Sequence, residues 1–178
     1  MKNIGTKMLE TDRLTLRRFK EEDAEEIYNG FINQEGFLYY ANKEKRTLKE
    51  EKDSLIGIDE KYNQKHCYNW LITLKKTDAI IGRIFLVVEE FNECVESNYA
   101  IDERYSNNGY MTEALKEVIR FCFEEVEVNR FQSCCVIENN ASKRVMQKCN
   151  MTEEGILRKY IKLRDGYHDM YMFSIVKE

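Results

Sequence analysis

The sequence predicts an α+β fold, a mixed sheet with helices, from three observations. Its hydrophobic patterning runs in the order β-α-α-β-β-β-α-β-α-β-β, which is not a strict βαβ alternation and excludes an ordinary doubly wound dinucleotide fold. Two apolar runs, Ile80 to Val88 and Phe131 to Ile137, read as strands, the second buried on both faces. Between them the polar, turn-prone run Arg104-Tyr105-Ser106-Asn107-Asn108-Gly109 opens directly into an amphipathic helix.

The elements follow in order. Leu9 to Phe19 alternates imperfectly and reads as a first strand with a loose start. Glu21 to Ile32 has Ala24, Ile27, Tyr28 and Phe31 at helical spacing, with acids in the first turn, where the helix dipole favours them. A second helix starts near Thr47, which forms a capping box with Glu50 ahead of Leu48, Leu55, Ile58 and Tyr62. Asn33 to Arg46, between the two helices, reads as an aromatic, irregular loop of the kind that lines substrate pockets. Tyr68 to Lys75 alternates cleanly and pairs with Ile80 to Val88 around Lys76-Thr77-Asp78.

Glu96 to Ile101 is a short fourth strand. The helix after Gly109 carries Met111, Ala114, Leu115, Val118 and Cys122 on one face and extends to about Val126. Asn139 and Asn140 supply an N-cap for a helix with Ala141, Val145, Met146 and Cys149 inward. Leu157 to Leu163 and His168 to Val176 flank Asp165-Gly166, the strongest hairpin signal in the chain.

Length and composition set the frame. A chain of 178 residues falls within the range of one domain, and no Pro, repeat or low-complexity segment marks a boundary inside residues 1–178. The composition, 43% hydrophobic and 34% charged, is that of a soluble protein, and no apolar run approaches a bilayer span. The N-terminus lacks a signal-peptide core, so a cytoplasmic protein without membrane contact is expected. The six cysteines lie in apolar runs or without metal-ligand spacing and read as reduced thiols. Two histidines are too few for a His-rich metal site, and no metal is expected. A net charge of −4 argues against non-specific nucleic-acid binding.

The stretch from Arg104 to Ala114 reads as an anion cradle. The first turn of a helix leaves amide N–H groups without partners and carries the positive end of the dipole. Gly109 gives close backbone approach, and Asn107 and Asn108 tolerate the left-handed region best after glycine. The run taken alone also reads as an ordinary strand-to-helix connection, and the order of the elements around it decides.

That order, with Leu9-Glu10-Thr11-Asp12-Arg13-Leu14-Thr15-Leu16-Arg17, Gly109-Tyr110-Met111-Thr112-Glu113-Ala114, Asn139-Asn140-Ala141-Ser142-Lys143-Arg144-Val145 and the closing Leu157-Arg158 with Tyr171 to Ile175, resembles the GNAT N-acetyltransferases. Within them it resembles the RimJ/RimL-like group that acetylates N-terminal amines of ribosomal proteins. The resemblance runs nearly end to end. It implies a mostly antiparallel central sheet of about seven strands, helices on both faces, and the fourth and fifth strands splayed apart.

The family's cofactor loop reads Gln/Arg-x-x-Gly-x-Gly/Ala; Arg104 and Gly109 match, and Asn107 takes the place of the first glycine. Asn98 stands where the family has glycine, at a bulge in the fourth strand, and Asn150 where glycine ends the last helix. The resemblance thus implies acetyl-CoA as cosubstrate, held by Tyr99, Ala100, Ile101, Arg104, Asn107, Asn108, Gly109, Tyr110, Met111, Thr112, Asn139, Ser142 and Arg144. The side chain of Met111 reads as core.

The implied reaction is attack of a neutral amine on the acetyl thioester, with the CoA thiolate leaving. Glu96, at the family's usual acidic position, is the candidate base. A strand backbone N–H near Tyr99 to Ile101 is the candidate donor to the oxyanion. Many family members place a tyrosine in the last helix to protonate the thiolate; Met146 occupies that position here, and Ser142 takes the role in the group this chain resembles. Tyr39, Tyr40, Tyr160, Tyr167 and His168 fall in regions that border the acceptor pocket in that group. A protein N-terminal α-amine is the leading acceptor, and a small amine such as a polyamine or aminoglycoside is the alternative. A non-catalytic acyl-CoA-binding module is the competing reading from another class. A monomer or homodimer is expected.

Overall fold

A computed structural model describes residues 1–40 and 44–177, apart from the side chains of Leu38 and Tyr40, so the expectation for Tyr40 lies outside the described residues. The strands are β1 (Leu9–Glu10), β2 (Leu14–Arg17), β3 (Tyr68–Leu74), β4 (Ile80–Glu89), β5 (Cys94–Ile101), β6 (Arg130–Val136), β7 (Thr152–Leu163) and β8 (Gly166–Val176). The helices are α1 (Ala24–Asn29), α2 (Glu35–Tyr40), α3 (Leu48–Lys61), α4 (Tyr110–Phe121) and α5 (Asn140–Lys148). Among the described residues the strands form one sheet in the order β1-β2-β3-β4-β5-β6-β8-β7. Every neighbouring pair is antiparallel except β5 and β6, which are parallel. No helix among the described residues is long and apolar enough to cross a membrane.

The sheet divides the core into two layers. On one face α4 buries Met111, Ala114, Leu115, Val118 and Phe121 against Leu14, Leu16, Trp70 and Ile84. The Trp70 and Phe121 rings meet edge to face, with centroids 5.7 Å apart, and the Trp70 indole N–H donates to the Lys7 carbonyl at 2.7 Å. On the other face α1 and α3 bring Ala24, Ile27 and Leu55 onto Leu71 and Ile80. The capping box of α3 is in place: the Glu50 N–H donates to Thr47 Oγ1, and the Thr47 N–H to Glu50 Oε2.

Five local details differ from the sequence expectation. The first strand is a hairpin, β1 and β2, because Thr11 turns the chain: its N–H donates to the Leu14 carbonyl and its hydroxyl accepts from the Leu14 N–H. The first helix breaks at Gly30, where backbone turns so tightly that a Cβ would lie 2.9 Å from the Glu26 carbonyl oxygen. The segment read as an irregular loop contains α2. β7 begins at Thr152 rather than Leu157; it is an exposed edge strand with two register shifts, so no clean alternation marks its start. The bulge expected at Asn98 is absent, because the β4–β5 ladder runs without a register shift from Gly82↔Ile101 to Glu89↔Cys94.

Candidate active site

The cradle is built from loop geometry and an empty first helical turn. Asn107 takes φ 61° and Gly109 φ 78°, both left-handed, so the chain alternates its amide directions just before α4. The N–H groups of residues 107 to 112 find no acceptor among the described residues, whereas the Glu113 N–H returns to the Gly109 carbonyl at 3.0 Å. Asn108 braces the loop: its side-chain amide donates to the carbonyls of Tyr105 and Ser106 at 3.1 and 3.0 Å. A run of free amides at a helix N-terminus matches the needs of a pyrophosphate and suits the cosubstrate.

The β1–β2 turn holds this helix in place. Glu113, in the first turn of α4, accepts from the Thr11 hydroxyl at 2.6 Å, the Arg13 N–H at 3.0 Å and Arg13 Nε at 2.7 Å. These donors hold its carboxyl below the ordinary range against the opposing effect of burial, the largest single influence on it. Arg13 also donates to the Asn108 carbonyl at 3.1 Å and lies over the Tyr110 ring at 4.4 Å. Two sequence stretches about a hundred residues apart thus form one clamp.

β5 opens an edge toward the cradle. Its pairing with β6 ends at Ser97↔Ser133, while its pairing with β4 continues to Ile101, so the two parallel strands splay beyond that point. The Asp102 N–H donates to the Ile81 carbonyl. In an antiparallel ladder hydrogen-bonded pairs alternate, so Ala100 and Asn98 direct their backbone groups to β4, and Tyr99 and Ile101 direct theirs into the splay. The expectation for Ala100 is corrected accordingly: its backbone is committed to Arg83. Gly82 makes this approach possible, because a Cβ there would lie 2.5 Å from the Ala100 carbonyl oxygen. At the fork, Ser97 Oγ is buried without a partner among the described residues, and the Ser133 hydroxyl donates to the Ser97 carbonyl at 2.9 Å.

Tyr99 reaches from β5 to α5. Its hydroxyl oxygen lies 2.6 Å from Ser142 Oγ and 3.3 Å from the Ser142 carbonyl. Burial pushes the phenol above its ordinary value, so it keeps its proton and remains a donor at neutral pH. Asn139 caps α5, its side-chain oxygen accepting from the Ser142 N–H at 3.0 Å, which fixes the turn carrying Ser142. Met146 is buried in the core.

Glu96 lies on the opposite face, where side chains alternate with those of Tyr99. It accepts from Gln132 Nε2 at 2.9 Å. Gln132 Oε1 accepts in turn from Arg130 Nε at 2.7 Å, and the Arg130 guanidinium pairs with Glu154 at 2.8 and 2.5 Å. Arg130 first, then the Ser174 hydroxyl, holds the Glu154 carboxyl down at about 2. One line of polar contacts therefore runs from β7 and β8 across β6 to Glu96. On the same face the Tyr39 hydroxyl donates to Asp165 at 3.0 Å, and His168 Nε2 lies 2.8 Å from Asp165, so α2 is tied to the β7–β8 turn. Tyr160 and Tyr167 are exposed.

Two predicted cofactor residues have other engagements, and a third lies at the surface. Arg104 folds back on buried Asp102, with Nη2 to Oδ2 at 2.6 Å and Nε to Oδ1 at 3.0 Å, while Gln34 donates to the same carboxylate at 2.9 Å. The Met111 side chain is buried in the core, leaving only its amide for a ligand. Arg144 is exposed at the surface of α5. Sequence reasoning missed Arg13, Glu113 and Gln132; the first two stand inside the quoted resemblance segments, and Gln132 carries no local signal. Among the described residues no group of three or more His, Cys, Asp and Glu side chains is placed to hold a metal ion.

The comparisons with known proteins agree with this fold. A family model described as an acetyltransferase (GNAT) domain matches residues 13–152. The uncharacterized N-acetyltransferase YoaA of Bacillus subtilis (strain 168) is 29% identical over 171 residues, covering 96% of this chain and 97% of that protein. The ribosomal-protein-serine acetyltransferase of Escherichia coli (strain K12) is 29% identical over 108 residues, 60% of each chain. A solved structure of RimL, a ribosomal L7/L12 alpha-N-protein acetyltransferase in complex with coenzyme A, shares the fold at a TM-score of 0.84 and 19% identity, over 96% of this chain and 98% of that one. The chain belongs to the GNAT acetyltransferase family and is an acetyl-CoA-dependent N-acetyltransferase.

Proposed function

We propose that the protein acetylates a protein N-terminal α-amine by direct attack in a ternary complex, with Glu96 as base and Ser142 assisting the departing thiolate. The observation that carries this reading is the splay after Ser97↔Ser133, which leaves Glu96 on one face of the gap and the Tyr99–Ser142 pair on the other. Acetyl-CoA, when bound, supplies the acetyl group as a thioester. The free amides of residues 107 to 112 hold its phosphates, and the Tyr99 and Ile101 backbone on the open edge of β5 holds its pantetheine arm. As the amine nitrogen bonds to the acetyl carbon, its proton passes to Glu96, directly or through a water, and a β5 N–H donates to the carbonyl oxygen. When the C–S bond breaks, the Ser142 hydroxyl donates to the sulfur.

An α-amine places a light demand on the base. With a pKa of about 7.7 to 8.0 it is roughly one part in ten neutral at pH 7, against about one in a few thousand for a lysine near 10.4. The relatives named for ribosomal proteins, one of them an alpha-N-protein acetyltransferase, support the same acceptor class. All six cysteines are free thiols, which suits a reducing cytoplasm. A thiol-release assay with acetyl-CoA against N-terminal peptides, polyamines and aminoglycosides tests the proposal. Release with peptides supports it; release with polyamines or aminoglycosides alone replaces the acceptor, and calorimetric CoA binding without release on any amine removes the catalytic reading.

A further inference from the structure

On the face that carries Glu96, the Arg83 guanidinium has no ion-pair partner among the described residues. The register sets Arg83 opposite Ala100, Phe85 opposite Asn98 and Val87 opposite Glu96, so these side chains share one face. The Arg83 guanidinium carbon lies 5.0 Å from the Phe85 ring centroid and 6.0 Å from that of Phe37 on α2. The residue is partly buried. Its guanidinium makes no hydrogen bond and no ion pair among the described residues, while its backbone pairs with Ala100. The charged groups acting on it are Glu51 and Arg46, and Arg46 Nη1 already holds Glu51 Oε2 at 2.8 Å. Burial works against the Arg83 charge and pulls its pKa below the ordinary value.

A guanidinium carries N–H donors in a planar fork, and withdrawing it from water without an acceptor is costly. The two ring faces offset part of that cost but leave the donors unused. A carboxylate is the group whose geometry matches the fork.

We propose that Arg83 binds a carboxylate of the acceptor, so that the amine acetylated at Glu96 belongs to a molecule with an acidic group a short distance along its chain. This rests on the acceptor reading above. Arg83 and the strand position opposite Glu96 are four residues apart, about 13 Å along the strand. After both side chains reach inward, one or two extended residues at about 3.3–3.6 Å each bridge the remaining gap. The carboxylate therefore belongs to an Asp or Glu at the second or third position of a peptide, or to a small amino acid. A polyamine brings a second cation to Arg83 and is disfavoured.

The test measures kcat/KM by thiol release for peptides beginning Ser-Asp, Ser-Asn and Ser-Lys, the same substitutions at the third position, a short ω-amino acid, and spermidine. The wild type is expected to favour the acidic peptide over its Asn counterpart by about ten- to a hundredfold. Arg83→Gln is expected to erase that preference, and Arg83→Lys to keep part of it. A faster ω-amino acid than any peptide identifies the carboxylate as that of a small molecule. Equal rates for acidic and neutral peptides and no turnover of the ω-amino acid overturn the proposal while leaving the acetyltransferase reading intact, as does a preference that survives in Arg83→Gln. If no amine is acetylated, the acceptor reading falls and the Arg83 proposal with it. The wild-type panel decides even if Arg83→Gln does not fold.

Discussion

Tyr99 Oη and Ser142 Oγ lie 2.6 Å apart, joining the open edge of β5 to the first turn of α5. Tyr99 keeps its proton, so it can donate to Ser142 Oγ and leave the serine hydrogen for the departing sulfur. A neutral hydrogen bond contributes about 0.5–1.5 kcal/mol, equivalent to roughly two- to tenfold in rate. Ser142→Ala is expected to lower kcat by about tenfold, and Tyr99→Phe by about two- to tenfold. Because Tyr99 acts through Ser142, the double variant should be no slower than Ser142→Ala. Multiplying effects would show that the two act separately.

Gln132 holds Glu96 from behind and is itself held by Arg130, which pairs in turn with Glu154. Gln132→Leu is expected to lower kcat while leaving the acetyl-CoA Kd within about twofold, because its side chain bonds the base and Arg130 and no residue of the cradle. A matching fall in CoA affinity would place Gln132 in the general packing of the splay instead.

The Glu154 carboxyl is held at about 2, below the roughly 4.3 of an unfolded chain. A depressed folded pKa contributes stability that is present above about pH 4.3 and is lost as pH falls through about 2. Solvent screening at this half-exposed pair keeps the contribution to about 1 kcal/mol or less. Melting curves of wild type and Glu154→Gln should therefore differ by a few degrees at pH 7 and converge toward pH 2. A gap that persists at pH 2 would rule out the ionised pair as its origin.

Arg104 is engaged by Asp102, whose carboxylate is fully buried. Arg104→Ala leaves that charge with Gln34 and the residue 104 N–H alone, at a cost of about 1–3 kcal/mol. The expected result is a Tm lower by about 3–10 °C with a small change in CoA affinity. A large loss of CoA affinity at unchanged Tm would make Arg104 a phosphate ligand after all.

Asn107 occupies the left-handed region with an exposed side chain. Asn107→Gly should leave CoA affinity within about twofold, since the backbone geometry is kept. Asn107→Val should weaken it at least tenfold, because a β-branched residue resists φ 61° by about 1–2 kcal/mol and moves the amides that follow. Weaker binding by Asn107→Gly would identify the asparagine side chain itself as a ligand.

Local patterns made much of this legible in the sequence. The helical stripe of α4 and the Thr47–Glu50 box depend on neighbours in the chain and stand where the sequence places them, whereas the hairpin read at Asp165-Gly166 turns one residue earlier, on Arg164 and Asp165, with Gly166 already paired to Leu163. The splay is implied only by the resemblance, because nothing local to Ser97 or Ser133 says that their pairing ends there. The clamp of Thr11 and Arg13 on Glu113, the engagement of Arg104 by Asp102 and the isolation of Arg83 depend on residues distant in sequence or on register across strands. The strand parity that separates Tyr99 from Ala100 needs the β4 register, which spacing alone does not provide.

The central claim is that Glu96 takes the proton of an attacking amine, and the pH profile of Glu96→Gln tests it most directly. With an N-terminal peptide as acceptor, the variant is expected to lose about a hundredfold in kcat/KM at pH 7, with the acetyl-CoA Kd unchanged. The loss should narrow above about pH 8, where the α-amine is already neutral. Equal activity of variant and wild type across the whole pH range would contradict the account and remove Glu96 from the mechanism.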